Sequence, residues 1–209
     1  MGYAGDSRFF QYSIEFPALV NESFKAMFSE RKVAQTAAFL LEKRGGAMSH
    51  LKLMKLLYLA DREAMNRYGT SISGDHMVAM PHGPVLSMTL DYMDGGIESS
   101  PGGWEEWISD KENHEVSLRK PIARGALDEL SDAEIEVLEA VWNQFGKMDR
   151  WEIRNYTHTL PEWQDPRGSS ISIPYKAVFH ALGRSDKEAE ELAARIESDR
   201  SIDRLFAAL

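Results

Sequence analysis

The sequence predicts a mainly α fold: a compact helical domain with a small β-ribbon or short strands near the middle. Three observations lead there. Ser131/Glu134, Asp149/Glu152 and Ser185/Glu188 are capping boxes, each set before a run with apolar or small residues at three- and four-residue spacing. Two earlier helical runs end at glycines, Gly45 and Gly69, where a left-handed C′ residue is wanted. Strand-like patterning is confined to short stretches. Hydrophobic residues make up 43% and charged residues 27% of the 209, so the chain has enough apolar surface to build a core.

Residues 1–23 read as an N-terminal extension and 24–209 as the domain. In "FFQYSIEF", Phe10, Tyr12, Ile14 and Phe16 alternate as on one face of a strand, and Pro17 ends it. Phe9, Phe10 and Tyr12 are candidate partner-binding residues; the competing reading folds the arm back onto its own core. The first helix starts near Ser29 and runs through "ERKVAQTAAFLLEKR" to Gly45, with Val33, Ala37, Leu40 and Leu41 at helical spacing.

The second helix takes Ser49 as N-cap and runs "HLKLMKLLYLADREAMNRY" to Gly69. Leu53, Leu56, Leu57, Ala60, Ala64 and Tyr68 share one face, while Leu51, Tyr58 and Leu59 lie off it. A helix apolar nearly all round belongs at the centre of its domain. Lys52, Lys55 and Arg62 gather on the remaining side, and a buried Lys55 needs a carboxylate or carbonyl partner.

Met77 to Met80 reads as a short strand. Beyond it, Gly83 is expected as an N-cap, Pro84 as the first helical residue, and "PVLSMTLDYM" as a third helix ended by Gly95-Gly96. A two-stranded ribbon is expected around a turn at Asp110–Asn113. Two boxed helices, "LSDAEIEVLEAVWNQFG" and "RWEIRNYTH", come next. The long connection "LPEWQDPRGSSISIP" then leads to a short helix, "PYKAVFHALG". The last helix, "DKEAEELAARIESD", is expected to break before "SIDRLFAAL".

The formal charge of -9 disfavours direct nucleic-acid binding, since neutralising phosphates needs a basic surface, though a local basic patch is compatible with it. An acidic body suits a basic protein partner. The chain has no cysteine, which removes disulfides, thiolate zinc sites and cysteine nucleophiles. No run approaches about 18 consecutive apolar residues, so no membrane span is expected. The start of the chain lacks the basic-then-apolar pattern of a secretory signal, and the expected location is cytoplasmic.

Phosphate-binding glycine loops, the G-x-S-x-G elbow and the H-E-x-x-H helix are all missing. The histidines His50, His76, His82, His114, His158 and His180 are scattered singly, and no catalytic, cofactor or metal set is assigned. The enzymatic alternative is a metal-dependent hydrolase using His82 and His158 with Asp61 or Asp91, which requires those groups to share a cleft. The helix start after Gly83 would attract an anion, or a side chain such as Asp61, Asp75 or Asp91 in its place. Lys52, Lys55, Arg62 and Arg67 are expected to snorkel around a core helix rather than to read nucleic acid. Trp104 and Trp107, in a glycine-rich loop, are candidate partner anchors or lids of the core.

The run Lys52 to Met93 resembles the Panacea domain of the SocA-like antitoxin family, found in bacterial and phage toxin–antitoxin pairs. The family's K-L-x-K-L-L-Y-x-A helix corresponds to Lys52, Leu53, Lys55, Leu56, Leu57, Tyr58 and Ala60. Its small-residue turn corresponds to Gly69, and its G-P-V element, preceded by an aromatic or basic residue, to His82, Gly83, Pro84 and Val85. "THTLPEW" is similar to a later T-H…P-W element and supplies His158 and Trp163. The chain departs from the commonest pattern at His82, where tyrosine is frequent. The resemblance implies an antitoxin of a type II-like pair that neutralises a cognate toxin by direct contact, with the motif residues as scaffold. A role as a proteolytic adaptor, delivering the toxin to a cytosolic protease, is the alternative it implies. Whether residues 1–23 reach the toxin or a second copy of the chain stays open.

Overall fold

Ser29 and Gly45 bracket the first helix as their types require. The Ser29 hydroxyl accepts from the Lys32 amide at 3.2 Å, and the Gly45 N–H reaches Glu42 O at 2.9 Å. The computed structural model describes residues 28–123 and 125–207, so the expected strand around Phe9, Phe10 and Tyr12 lies outside the described residues. In order, the elements are α1 (Glu30–Arg44), β1 (Ala47–Ser49), α2 (His50–Tyr68), β2 (Met77–Met80), β3 (Gly83–Leu86), α3 (Ser87–Met93) and α4 (Trp104–Trp107). There follow β4 (Glu115–Ser117), α5 (Asp132–Phe145), α6 (Arg150–Thr157), β5 (Ile171–Ser172), α7 (Tyr175–Ala181) and α8 (Asp186–Ala207). The fold is mainly helical, with short antiparallel strands.

Helix α2 is the axis of the core. Every residue from Lys52 through Asp61 is buried, because α1, α5, α6, α7, β1 and β3 all pack against it. All-round burial of one helix explains why its polar side chains must be bonded internally. Ser49 does sit at the N-cap of α2, but its hydroxyl makes no capping bond. The three expected capping boxes are present, reciprocal at Ser131/Glu134, Asp149/Glu152 and Ser185/Glu188.

Two small sheets hold the connections. β1 pairs antiparallel with β4, in register Met48↔Val116. The ribbon turn falls at Asn113 and His114, with φ of 51° and 65°, slightly later than the sequence suggests; Glu112 pairs with Glu115 across it. The second sheet has the order β3-β2-β5, with β5 returning from the long connection after α6.

Two expectations are corrected, at Gly83-Pro84 and in α8, and the choice left open for Trp104 and Trp107 is decided for the core. Gly83 and Pro84 do not start a helix: they belong to β3, which forms a hairpin with β2 around Pro81-His82, and α3 begins only at Ser87. β3 is an edge strand, where proline is tolerated. Pro84 faces Ala79 at a pair that makes no cross-strand bond, so its missing N–H costs nothing. The next residue of that orientation, Leu86, likewise turns its N–H away from β2, toward Met54 Sδ at 3.4 Å. Helix α8 runs through Ser201 without a break. Trp104 and Trp107 are 1% and 7% exposed, so they close the core beside α1 rather than offer a surface to a partner. Glu30 fixes α4 there by accepting the Trp104 amide at 2.8 Å.

Candidate functional site

The signature residues converge around α2. Lys55 is fully buried, and its Nζ donates to Pro84 O at 2.7 Å, tying the helix to the hairpin. Burial, with Arg154 nearby, lowers its pKa from 10.5 to about 7. Lys52 is also buried, and its Nζ donates to Gly146 O at 2.7 Å, at the carbonyl end of α5. These two lysines therefore do not snorkel: each satisfies a backbone carbonyl inside the fold. Arg67, by contrast, is exposed and pairs with Glu63 one turn away at 2.6 Å.

On the next turn, Tyr58 donates to Glu162 Oε1 at 3.0 Å, and Arg62 Nε donates to the same oxygen at 2.6 Å. Burial and the Glu162 carboxylate raise the Tyr58 pKa well above its usual value. Glu162 lies within "THTLPEW", so this element is bonded to the signature helix. Beside it, His158 stacks on Trp163 with ring centroids 4.0 Å apart, and Trp163 Nε1 donates to Met80 O at 3.3 Å. Leu53, Leu56, Leu57, Ala60 and Val85 are core residues, and Gly69 closes α2 through its N–H to Met65 O at 3.0 Å.

Gly83 is where these elements come closest. Its φ is +94°, and a Cβ there would lie 2.8 Å from Thr157 Oγ1 and 3.1 Å from both His158 Cδ2 and Lys55 Cε. Only glycine combines that backbone with that approach. The landmark G-P-V is thus a contact point between α2, the hairpin and the end of α6.

Of the two carboxylates named for the hydrolase alternative, Asp61 is committed elsewhere and Asp91 is on the surface. Asp61 Oδ1 accepts the Ile72 and Ser73 amides at 3.0 and 2.9 Å, and Oδ2 accepts the Ser73 hydroxyl. Burial raises its pKa from 3.8 to about 7, against the pull of the Ser73 bonds. Asp75 accepts Met88 N at 3.0 Å and Thr89 N at 2.8 Å, so a side chain of the protein occupies the start of α3. Asp91 is exposed. Among the described residues no group of three or more His, Asp or Glu is placed to hold a metal ion.

His82 is exposed at the hairpin tip and borders an open pocket of about 400 Å³ with His50, His114, Lys111, Arg150 and Trp151. His158 sits inward of it, its pKa lowered by burial and by the Arg154, Lys55 and His82 charges. Ser49 and Arg150 join this pocket to a larger groove of about 780 Å³, bordered by Arg44, Lys52, Lys147 and Asp149. The open surface at the signature end of the molecule is basic, opposite to the acidic contact face expected from net charge alone.

Sequence reasoning did not single out Glu162 or Trp151. A lone glutamate between Pro161 and Trp163 gives no periodic signal. Trp151, 46% exposed beside Arg150, lies in the first turn of a boxed helix, and its position next to the cap was the available clue.

A family model described as "Antitoxin SocA-like, Panacea domain" matches residues 53–164, more than half of the 209. The match starts at the first core leucine of α2 and takes in Trp163, and so contains the Lys55–Pro84 and Tyr58–Glu162 bonds described above, with Lys52 one residue before it. No curated protein and no solved structure gives a match.

Proposed function

The chain belongs to the SocA-like antitoxin family, built on the Panacea domain, and from that premise we propose that it neutralises a cognate toxin by binding it directly. The partner is the protein encoded beside it, and the setting is the cytoplasm. Among the described residues no helix is long and apolar enough to cross a membrane, which suits that reading. Neutralisation is by occlusion of the toxin and involves no reaction of the antitoxin's own.

The observation that carries this reading is the family match over residues 53–164, within which the signature side chains other than His82 are buried or half-buried. Lys52, Lys55 and Tyr58 are used up in holding the fold, as a scaffold requires. Partner choice then falls to surface residues around it. The test is co-expression with the adjacent gene product. Growth should be lost with that product alone and restored when both are present, and the two should co-purify. A neighbour that remains toxic, with no complex formed, counts against the reading.

A further inference from the structure

Many lysines and arginines on the described surface have carboxylate partners. Lys32, Lys43, Arg62, Arg67, Lys111, Arg119, Lys120 and Lys176 all do. Arg31, Arg154, Arg167, Arg184 and Arg195 have none among the described residues, and neither do Arg44, Lys147 and Arg150, which are set apart by bordering the same 780 Å³ groove. Lys52 lies at its floor, its charge spent on Gly146 O, and its pKa is lowered by burial and by Arg44. Of the two acids on the rim, Asp149 has one oxygen occupied by the Trp151 and Glu152 amides. The Ser49 hydroxyl, between groove and pocket, has no hydrogen-bond partner among the described residues. Where the groove meets the pocket stands Trp151, the exposed aromatic, with the Arg150 and Arg154 guanidiniums 5.2 and 5.3 Å from its ring.

We propose that this groove, from Arg44 past Lys147 and Arg150 to Trp151, is the docking site for an extended acidic segment of the partner protein. Its carboxylates meet the three unpaired cations, and an apolar side chain covers the exposed part of the Trp151 ring. The inference rests on the antitoxin reading above and names the chemistry of the contact. Unpaired cations on an otherwise acidic protein form a complementary target for a short run of negative charge. Tryptophan and arginine are the residue types that dominate binding energy at interfaces. A nucleic acid is a poorer fit. Its charge continues along the whole strand, past the groove and onto a body of net charge -9, whereas a peptide segment confines its charge to the patch.

The test compares the wild type, K147E/R150E and W151A, with K187E on α8 as a remote control, for binding to the adjacent gene product and for restoration of growth. Every altered side chain is exposed, and a thermal melt of each variant checks that it is folded. Both groove variants should bind at least tenfold more weakly and restore growth poorly, while K187E behaves as wild type. If the wild type protects and the groove variants bind and protect equally well, the groove is not the contact and the antitoxin reading stands. A wild type that neither binds nor protects sinks the antitoxin reading, and this inference with it. Should a short single-stranded oligonucleotide displace the partner from the wild type, and bind K147E/R150E more weakly, the groove is a nucleic-acid site and the peptide assignment is overturned.

Discussion

Lys55 Nζ and Pro84 O are bonded at 2.7 Å, joining the core helix to the hairpin 29 residues further on. Proline supplies no N–H at that edge position, and its carbonyl turns toward α2, where only a long buried donor reaches it. Lysine meets this need because its stem packs in the core while its head finds the carbonyl. The two landmarks of the family pattern are therefore one interaction.

Lys55→Met keeps the stem and removes the donor. We expect a loss of about 2 kcal/mol, since a buried carbonyl loses its partner. The pH dependence changes as well. Folded Lys55 releases its proton near pH 7, while the unfolded side chain holds it to near 10.5. Between those values the unfolded chain binds more protons, so this group's contribution to stability rises with pH. Urea unfolding near neutrality and at about pH 9.5 should show the wild type gaining on the variant as pH rises.

Gly83→Ala should destabilise by about 3 kcal/mol, combining a left-handed backbone with overpacking. The methyl would meet Thr157 Oγ1 at 2.8 Å. Thr157→Ala in the same background should recover the steric part and leave the backbone strain. Thermal melts of the four proteins in a double-mutant cycle measure this, with the coupling between the two sites favourable. Simple additivity would mean that the close approach is not what requires glycine.

Asp61→Asn tests the other buried titration. Asp61 is raised to about 7 in the fold and releases its proton near 3.8 when unfolded. Its contribution is fully present below the lower value and is lost as pH rises through the upper one. The asparagine variant lacks this loss, so it should gain stability relative to wild type as pH rises from about 4 to about 7. Paired denaturation curves across that window are the measurement, and a pH-independent difference would place the Asp61 pKa in its ordinary range.

Local chemistry was legible in the sequence. The capping boxes at Ser131, Asp149 and Ser185 need only residues three apart, and each is present. The all-round apolar pattern of α2 placed it at the centre, and the need for a Lys55 partner followed from that. Which carbonyl it would find did not, because a proline without an N–H suits a helix start and an edge strand equally. The choice was made by pairing with β2 and by the β5 strand, which returns from residues 171–172. Trp104 and Trp107 looked like loop aromatics until Glu30, some 70 residues earlier, captured the Trp104 amide. The basic groove was hidden for a related reason. Net charge sums over the chain, whereas Arg44, Lys147 and Arg150 meet only in space.

The proposed function requires that this protein bind the toxin encoded beside it. Calorimetric titration of the two purified proteins tests that most directly. A saturable complex of fixed stoichiometry is expected, with a Kd of about 1 μM or tighter. Absence of any binding heat or complex at concentrations about tenfold above that value, from two folded proteins, would contradict it.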